Sequence, residues 1–387
     1  MSPAMAISGK LRNQDSLEIQ YQKGVKNLYE NGIEHVPRKY ILPVSERPNV
    51  TNCDKSTEPD IDLQLPVIDF AELQGCNRSQ VLKSLAYACQ NYGFFQLVNH
   101  GIPDEIISNM VNVSRRFFEL PLAEREKYMS ADTSSPVRYG TSFNQANDGV
   151  FCWRDFLKLV CHPSQNASLP HWPSTPLDFR RLVTAYAEET RFLFLMLAEA
   201  IVESLGLKDS ASKKLVGTES DDADDSLSLL SKEFENGSQL MVVNCYPPCP
   251  EPDLTLGMPP HSDYGFLTLL LQDEVKGLQI HHRDKWLTVK PVPGSFVVNV
   301  GDHLEIFSNG RYKSVLHRVL VNNTKYRVSV ASLHSLPFTS TVRPSPKLIS
   351  DGSPRRYKDT DFACFLEYIK TCDSRKKNFL ESRKFKL

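Results

Sequence analysis

Apolar residues are spaced differently in successive stretches of the chain, and each spacing predicts its own kind of element. Residues 1–60 form an N-terminal arm and connector: Ser16 to Asn31 predicts a helix, and Val36-Pro37 through Pro48, with three prolines, predicts an extended run. Residues 61–235 mix both periods. Leu65 to Phe70 reads as a short strand, and Gly93 to Asn99 as a second. Between them Val81, Leu82, Leu85, Ala88 and Cys89 repeat at helical spacing, which predicts a helix over Ser79 to Asn91. Pro103 and Asp104 open a further helix that runs to Glu119. A strand at Phe151 to Cys161 and a long helix from Pro176 to Gly206 follow.

From residue 236 to 345 the texture changes to short runs rich in Val, Leu and Ile, broken by Gly, Pro and Asn-Gly. The runs are 239–246, 266–272, 277–282, 286–290, 295–300, 316–322 and 326–334. So many short strands with turns between them predict a barrel or a double-sheet jelly roll. Residues 346–387 carry a last helix, Asp361 to Thr371, and a tail. The fold class is therefore mixed α and β, with helices flanking a β core.

Composition narrows the function. The 387 residues are 41% hydrophobic, 10% aromatic and 24% charged, with net charge −1, an ordinary globular balance. Nothing in that charge draws the chain to nucleic acid or an anionic membrane. Met1 to Lys10 has no apolar signal core, and no stretch approaches the ~18 apolar residues of a membrane span. Nine scattered cysteines fit reduced thiols, and a cytoplasmic location is expected. Five acidic residues between Glu219 and Asp225, and Arg375, Lys376 and Lys377 near the end, read as solvated segments.

The chemistry concentrates in the β region. His261-Ser262-Asp263 on an extended segment puts His261 and Asp263 on one face, because strand side chains alternate. His317 from another strand can complete a triangle. Two imidazoles and a carboxylate suit Fe(II) with positions left open, although a zinc hydrolase can use similar ligands. Ten residues after His317, Arg327 and Ser329 share a strand face and make a carboxylate clamp, to which Tyr246 can add a hydrogen bond.

These residues sit in motifs that resemble the plant soluble 2-oxoglutarate- and Fe(II)-dependent dioxygenases. The matching pieces are Asn244 to Pro252, Pro260 to Asp263, Gly277-Leu278-Gln279, Asn299 to Asp302, Ser308 to Arg318 and Arg327-Val328-Ser329. In the first half, Pro66 to Phe70 and Gly93 to Gly101 match as well, so the resemblance covers about residues 36 to 372. It implies a double-stranded β-helix (jelly-roll) core over 236–345, with His261, Asp263 and His317 as iron ligands. Arg327 and Ser329 would hold 2-oxoglutarate, Tyr246 would assist, and Asn244 would stand near the site. Fe(II), 2-oxoglutarate and O2 would be used, ascorbate would be supportive, and 2-oxoglutarate would become succinate and CO2. Within the family, Val36-Pro37 to Pro48, Tyr139 to Asn144, Trp153 to Leu157 and Arg327 to Ser332 resemble the downy-mildew-resistance-type branch of salicylate hydroxylase-like and flavone-synthase-like enzymes.

The substrate expected is a small, partly apolar plant metabolite or hormone, hydroxylated by a monomer. Tyr139, Phe143, Leu333 and Ser335 are candidate pocket-wall residues, although Phe143 and Leu333 equally suit a core. Phe362 and Phe365 on the last helix are candidates for a lid. Other histidines read as structural: His100 in a turn, His281 and His282 facing opposite ways, and His303-Leu304-Glu305 in a helical turn. Trp153-Arg154-Asp155 reads as packing plus a structural ion pair. Two other readings compete: an iron oxidase of the same fold that does not use 2-oxoglutarate, and a non-catalytic small-molecule receptor.

Overall fold

Strand alternation builds two sheets with a cavity between them. The computed structural model describes residues 23–48, 62–142, 148–163, 165–207, 225–371 and 378–385. Its strands are β1 (Asp62–Leu63), β2 (Val67–Asp69), β3 (Phe94–Val98), β4 (Val137–Thr141), β5 (Asp155–His162), β6 (Ser238–Tyr246), β7 (Met258–His261), β8 (Leu267–Gln272), β9 (Leu278–His282), β10 (Lys285–Val289), β11 (Phe296–Val300), β12 (His317–Val319) and β13 (Arg327–Ser335). The larger sheet has the order β2-β3-β11-β8-β13-β6-β5-β4, and the smaller β1-β10-β9-β12-β7. All seven predicted runs of the β region are strands, and the double-stranded β-helix is the result. The larger sheet takes strands from both halves of the chain, so the two are joined by backbone pairing.

The helices of five residues or more are α1 (Val25–Glu30), α2 (Arg78–Asn91), α3 (Asp104–Glu119), α4 (Phe179–Ser204), α5 (Asp225–Glu235), α6 (Asp302–Phe307), α7 (Phe362–Thr371) and α8 (Phe379–Arg383). In α2 the stripe Val81, Leu85, Ala88 and Cys89 is buried. Helix α3 starts after Pro103 with Asp104 and Glu105 in its first turn, where carboxylates favour the positive helix end. Helix α4 packs on α2 and α3 and, with Tyr186 and Phe194, covers one face of the large sheet. That face carries Met241, Val243, Leu267, Leu269, Val328 and Val330, all buried. Each such side chain stabilises the fold by about 1.5–3 kcal/mol. The alternate residues of the same strands face the cavity.

Several elements differ from the sequence pattern. The connector contains tight helical turns at Arg38–Tyr40 and Val44–Glu46. Strand β5 begins at Asp155, later than expected, because Phe151 and Trp153 instead pack edge-on against Tyr40 of the connector. Helix α1 is the described part of the predicted N-terminal helix. The carboxylate of Asp155 accepts from the Val25 and Lys26 amides at its first turn. Of the expected packing plus structural ion pair at Trp153-Arg154-Asp155, Trp153 packs on Tyr40, while Asp155 makes this long-range cap and does not pair with Arg154. Strand β4 and helices α5 and α8 had no signal in the hydrophobic pattern. Most of the acidic run before Asp225, and Arg375 to Lys377, lie outside the described residues.

Candidate metal and co-substrate centre

His261 ends β7, His317 begins β12, and these strands pair with His317 opposite His261. Asp263 follows two residues after His261. One donor atom from each of the three lies within 4.8 Å of the others. Nε2 of His261 and of His317 stand 3.7 and 3.8 Å from Asp263 Oδ1. The opposite edge of each ligand is held by the protein. His261 Nδ1 is 2.9 Å from the Pro259 carbonyl, and His317 Nδ1 is 3.3 Å from that of Val315. A carbonyl can only accept, so each Nδ1 carries the proton and each Nε2 offers a lone pair inward. Asp263 Oδ2 accepts from Thr268 Oγ1 at 2.6 Å and Asn299 Nδ2 at 2.9 Å, which leaves Oδ1 to the site. Burial alone would raise the Asp263 carboxyl. His317 and His261, with the Thr268 and Asn299 hydrogen bonds, outweigh it and hold the group below the usual carboxylate range. The donors suit a facial two-histidine, one-carboxylate metal site.

The turn after β11 fixes the aspartate loop. A Cβ on Gly301 would stand 2.1 Å from the Gly265 carbonyl oxygen, so only glycine lets these backbones approach. Asp302 N–H then donates to the Asp263 carbonyl at 2.7 Å.

Arg327 and Ser329 lie on β13 opposite Tyr246 and Asn244 of β6, and directly opposed residues share a face. All four line the cavity with the metal set. Arg327 is 2% exposed. Its guanidinium donates to the Val275 carbonyl and Gln272 Oε1, lies 3.5 Å from Ser329 Oγ and sits 5.0 Å from the centre of the Tyr246 ring. Among the described residues it meets no carboxylate. A buried cation with neutral partners alone is costly, and an anionic ligand relieves that cost. Gly277 makes room here: a Cβ would come within 3.1 Å of Arg327 Cδ.

The cavity measures about 390 Å³. Leu333 and Ser335 line it, two and three pleats beyond Ser329. Tyr139 does not. It pairs with Leu157, whose side chain belongs to the helix-covered core, and its hydroxyl donates to Asp155 at 2.9 Å. Its place as a wall residue is corrected by the register of β4: the neighbour Arg138 faces the cavity instead. Phe143 lies outside the described residues. Phe362, Phe365, Leu366 and Ile369 of α7 close one side, and Phe365 stacks 3.9 Å from Tyr264, next to Asp263. Thr268 and the cavity-facing Arg154, Phe156 and Lys158 were missed in the sequence. The last three share the period of two, but the pattern alone does not say which face of the strand meets the cavity.

His281, His282 and His303 have structural partners. His282 stacks on Tyr92 and His281 meets Trp286 edge-on, so they diverge. His303 bonds Ser335 Oγ, whereas Glu305 accepts from Tyr357 and Ser314.

Comparison with known proteins agrees with this geometry. Residues 237–335 match the model of the 2OG-Fe(II) oxygenase superfamily, and residues 65–175 match that of the N-terminal region named for the non-haem dioxygenase in morphine synthesis. Protein DMR6-LIKE OXYGENASE 2 of Arabidopsis thaliana is 40% identical over 337 residues, 87% of this chain and 90% of that protein. The chain belongs to the plant 2OG-Fe(II) oxygenase superfamily. Within this superfamily, Flavanone 3-dioxygenase 2 of Oryza sativa subsp. japonica is 39% identical, over 88% of this chain and 91% of its own. A crystal structure of JOX2 in complex with 2OG, Fe and JA superposes with a TM-score of 0.78 at 32% identity, covering 94% of this chain and 98% of that one. The protein is thus an Fe(II)- and 2-oxoglutarate-dependent dioxygenase of the DMR6-like and flavonoid dioxygenase branch. Among the described residues no helix is long and apolar enough to cross a membrane.

Proposed function

We propose that this dioxygenase hydroxylates a small, partly apolar plant metabolite or hormone inside the cavity between the sheets. The observation that carries the reading is one cavity holding both the open-sided His261, Asp263, His317 set and the buried Arg327, which meets no carboxylate among the described residues. His261, Asp263 and His317 would hold Fe(II). Arg327 and Ser329 would bind the far carboxylate of 2-oxoglutarate, with Tyr246 against the guanidinium and Asn244 beside them. When bound, the iron supplies the oxygen chemistry, in which 2-oxoglutarate loses CO2 to become succinate while a substrate C–H bond is oxidised.

The protein's own residues supply position and shielding. Thr268 and Asn299 orient Asp263. The Pro259 and Val315 carbonyls orient the imidazoles. Leu333, Leu270 and the α7 side chains give the reacting C–H an apolar, water-poor wall. Leu333 and Ser335 are the substrate-wall residues of this reading. A monomer working in the cytoplasm on a small molecule rather than on nucleic acid, supported by ascorbate, completes it.

The test is succinate release from 2-oxoglutarate during a screen of plant metabolites. Substrate-stimulated succinate formation that is lost in His261→Ala supports the reading. Oxygen uptake that neither needs 2-oxoglutarate nor forms succinate would replace it with a same-fold oxidase. Ligand binding without turnover would point to a receptor.

A further inference from the structure

The cavity holds a second group of cations, apart from Arg327. Arg154, just before β5, and Phe156 and Lys158 on β5 alternate onto the cavity face, and Arg138 of β4 stands opposite Lys158. The guanidinium carbons of Arg154 and Arg138 lie 4.8 and 5.2 Å from the centre of the Phe156 ring. Strand β5 is two places from β13 in the sheet, so this group is offset by about 10 Å from the strand bearing Arg327. That offset is enough for two separate anions.

Arg154 is 3% exposed, and no carboxylate neutralises it among the described residues. It donates to Asn244 Oδ1 at 3.0 Å and the Ser142 carbonyl at 2.7 Å, and it touches Met258 Sδ at 3.1 Å. Its Nε has no hydrogen-bond partner. Lys158 reaches only a carbonyl, that of Thr133, at 2.7 Å. Burial first, and then Arg138, lower its pKa to about 8 against the opposing pull of Asp132. Asp148, near Arg138, and the exposed Asp132 are the acidic groups close by, and neither lines the cavity. Among the described residues, the one carboxylate that does is Asp263, one of the metal ligands.

We propose that Arg154, Lys158 and Arg138, arrayed around Phe156, form a substrate-anion subsite that selects a small molecule with a carboxylate or similar oxyanion beside an apolar body. This inference rests on the dioxygenase reading for what happens to that molecule. Phe156 offers the apolar body a face, and the cations fix its charged end away from the metal. A neutral polyphenol of the same size would leave the Arg154 Nε unpaired, so the subsite discriminates by charge as well as by shape.

The test compares two fluorescent probes of nearly equal shape on the full chain: anilinonaphthalenesulfonate, an anion, and its neutral parent phenylnaphthylamine. The wild type should bind the anion about tenfold or more tightly over the neutral probe, as hydrogen bonds to a charged group predict. Arg154→Gln should remove most of that preference. Lys158→Gln, at a less buried position that is safer for folding, should reduce it about threefold. Equal affinity for the two probes, or a preference that persists in both folded variants, would overturn the subsite. A parallel titration of the wild-type Fe(II) protein with 2-oxoglutarate separates the two claims. Failure to bind 2-oxoglutarate would overturn the dioxygenase reading and leave the anion preference to be judged on the probes alone.

Discussion

Replacing Arg327 with alanine should damage co-substrate binding selectively. The guanidinium is buried, stacked on Tyr246, and fixed by the Val275 carbonyl and Gln272. It is therefore already oriented before a ligand arrives. Truncating one partner of a buried charge pair costs about 2–5 kcal/mol. That range corresponds to about a 30-fold to 5,000-fold rise in the half-saturating concentration of 2-oxoglutarate. Arg327→Lys keeps the charge but loses the planar fork, so it should fall between the wild type and Arg327→Ala. The assay is 2-oxoglutarate-dependent succinate formation across co-substrate concentrations, with iron content measured on the same samples. Iron content should stay near one ion per chain, because Arg327 is not among the three donors. A half-saturation within about threefold of wild type in Arg327→Ala, below the range expected for a lost buried pair, would refute the clamp.

Other consequences follow from the same geometry. Asn299→Ala removes one of the two donors on Asp263 Oδ2, so Fe(II) affinity should weaken by about 10- to 100-fold in a metal-competition titration. Tyr139→Phe removes the hydroxyl that donates to buried Asp155. It should lower unfolding stability by about 1–3 kcal/mol in denaturant melts while 2-oxoglutarate half-saturation stays unchanged. Burial lowers the pKa of His303 and of His334 to about 3, with Arg191 adding to the effect at His334. Both are therefore neutral when folded but take up protons below about pH 6.5 when unfolded. Their contribution is complete above that pH and is lost as the pH falls from about 6.5 toward 3. The melting temperature should accordingly fall between pH 7 and pH 5, and less steeply in His303→Gln.

The period-two rule made much of the centre legible in the sequence. It put Arg327 with Ser329 on one face, and the structure sets them opposite Tyr246 and Asn244 through the pairing of β13 with β6. The same rule could not reach across strands whose pairing was unknown. Tyr139 lies on a strand that the pattern did not reveal, and its face depends on pairing with Leu157. Arg154 and Asp155 are neighbours in sequence, but their side chains leave opposite ways: Asp155 toward α1, Arg154 toward the cavity. Asp155 caps a helix 130 residues earlier in the chain. No local pattern encodes such a contact, because it depends on the arm folding back over the sheet. The helical turn of α6 was legible because Gly301-Asp302 supplies a start.

The central claim is that one cavity holds both an iron set and a 2-oxoglutarate clamp. The most direct measurement is the visible spectrum of the anaerobic Fe(II) protein as 2-oxoglutarate is added without substrate. A saturable charge-transfer band is expected in the wild type. In Arg327→Ala the band should appear only at much higher 2-oxoglutarate, and His261→Ala and Asp263→Ala should show none. An iron-loaded wild-type protein that shows no band at saturating 2-oxoglutarate would contradict the claim.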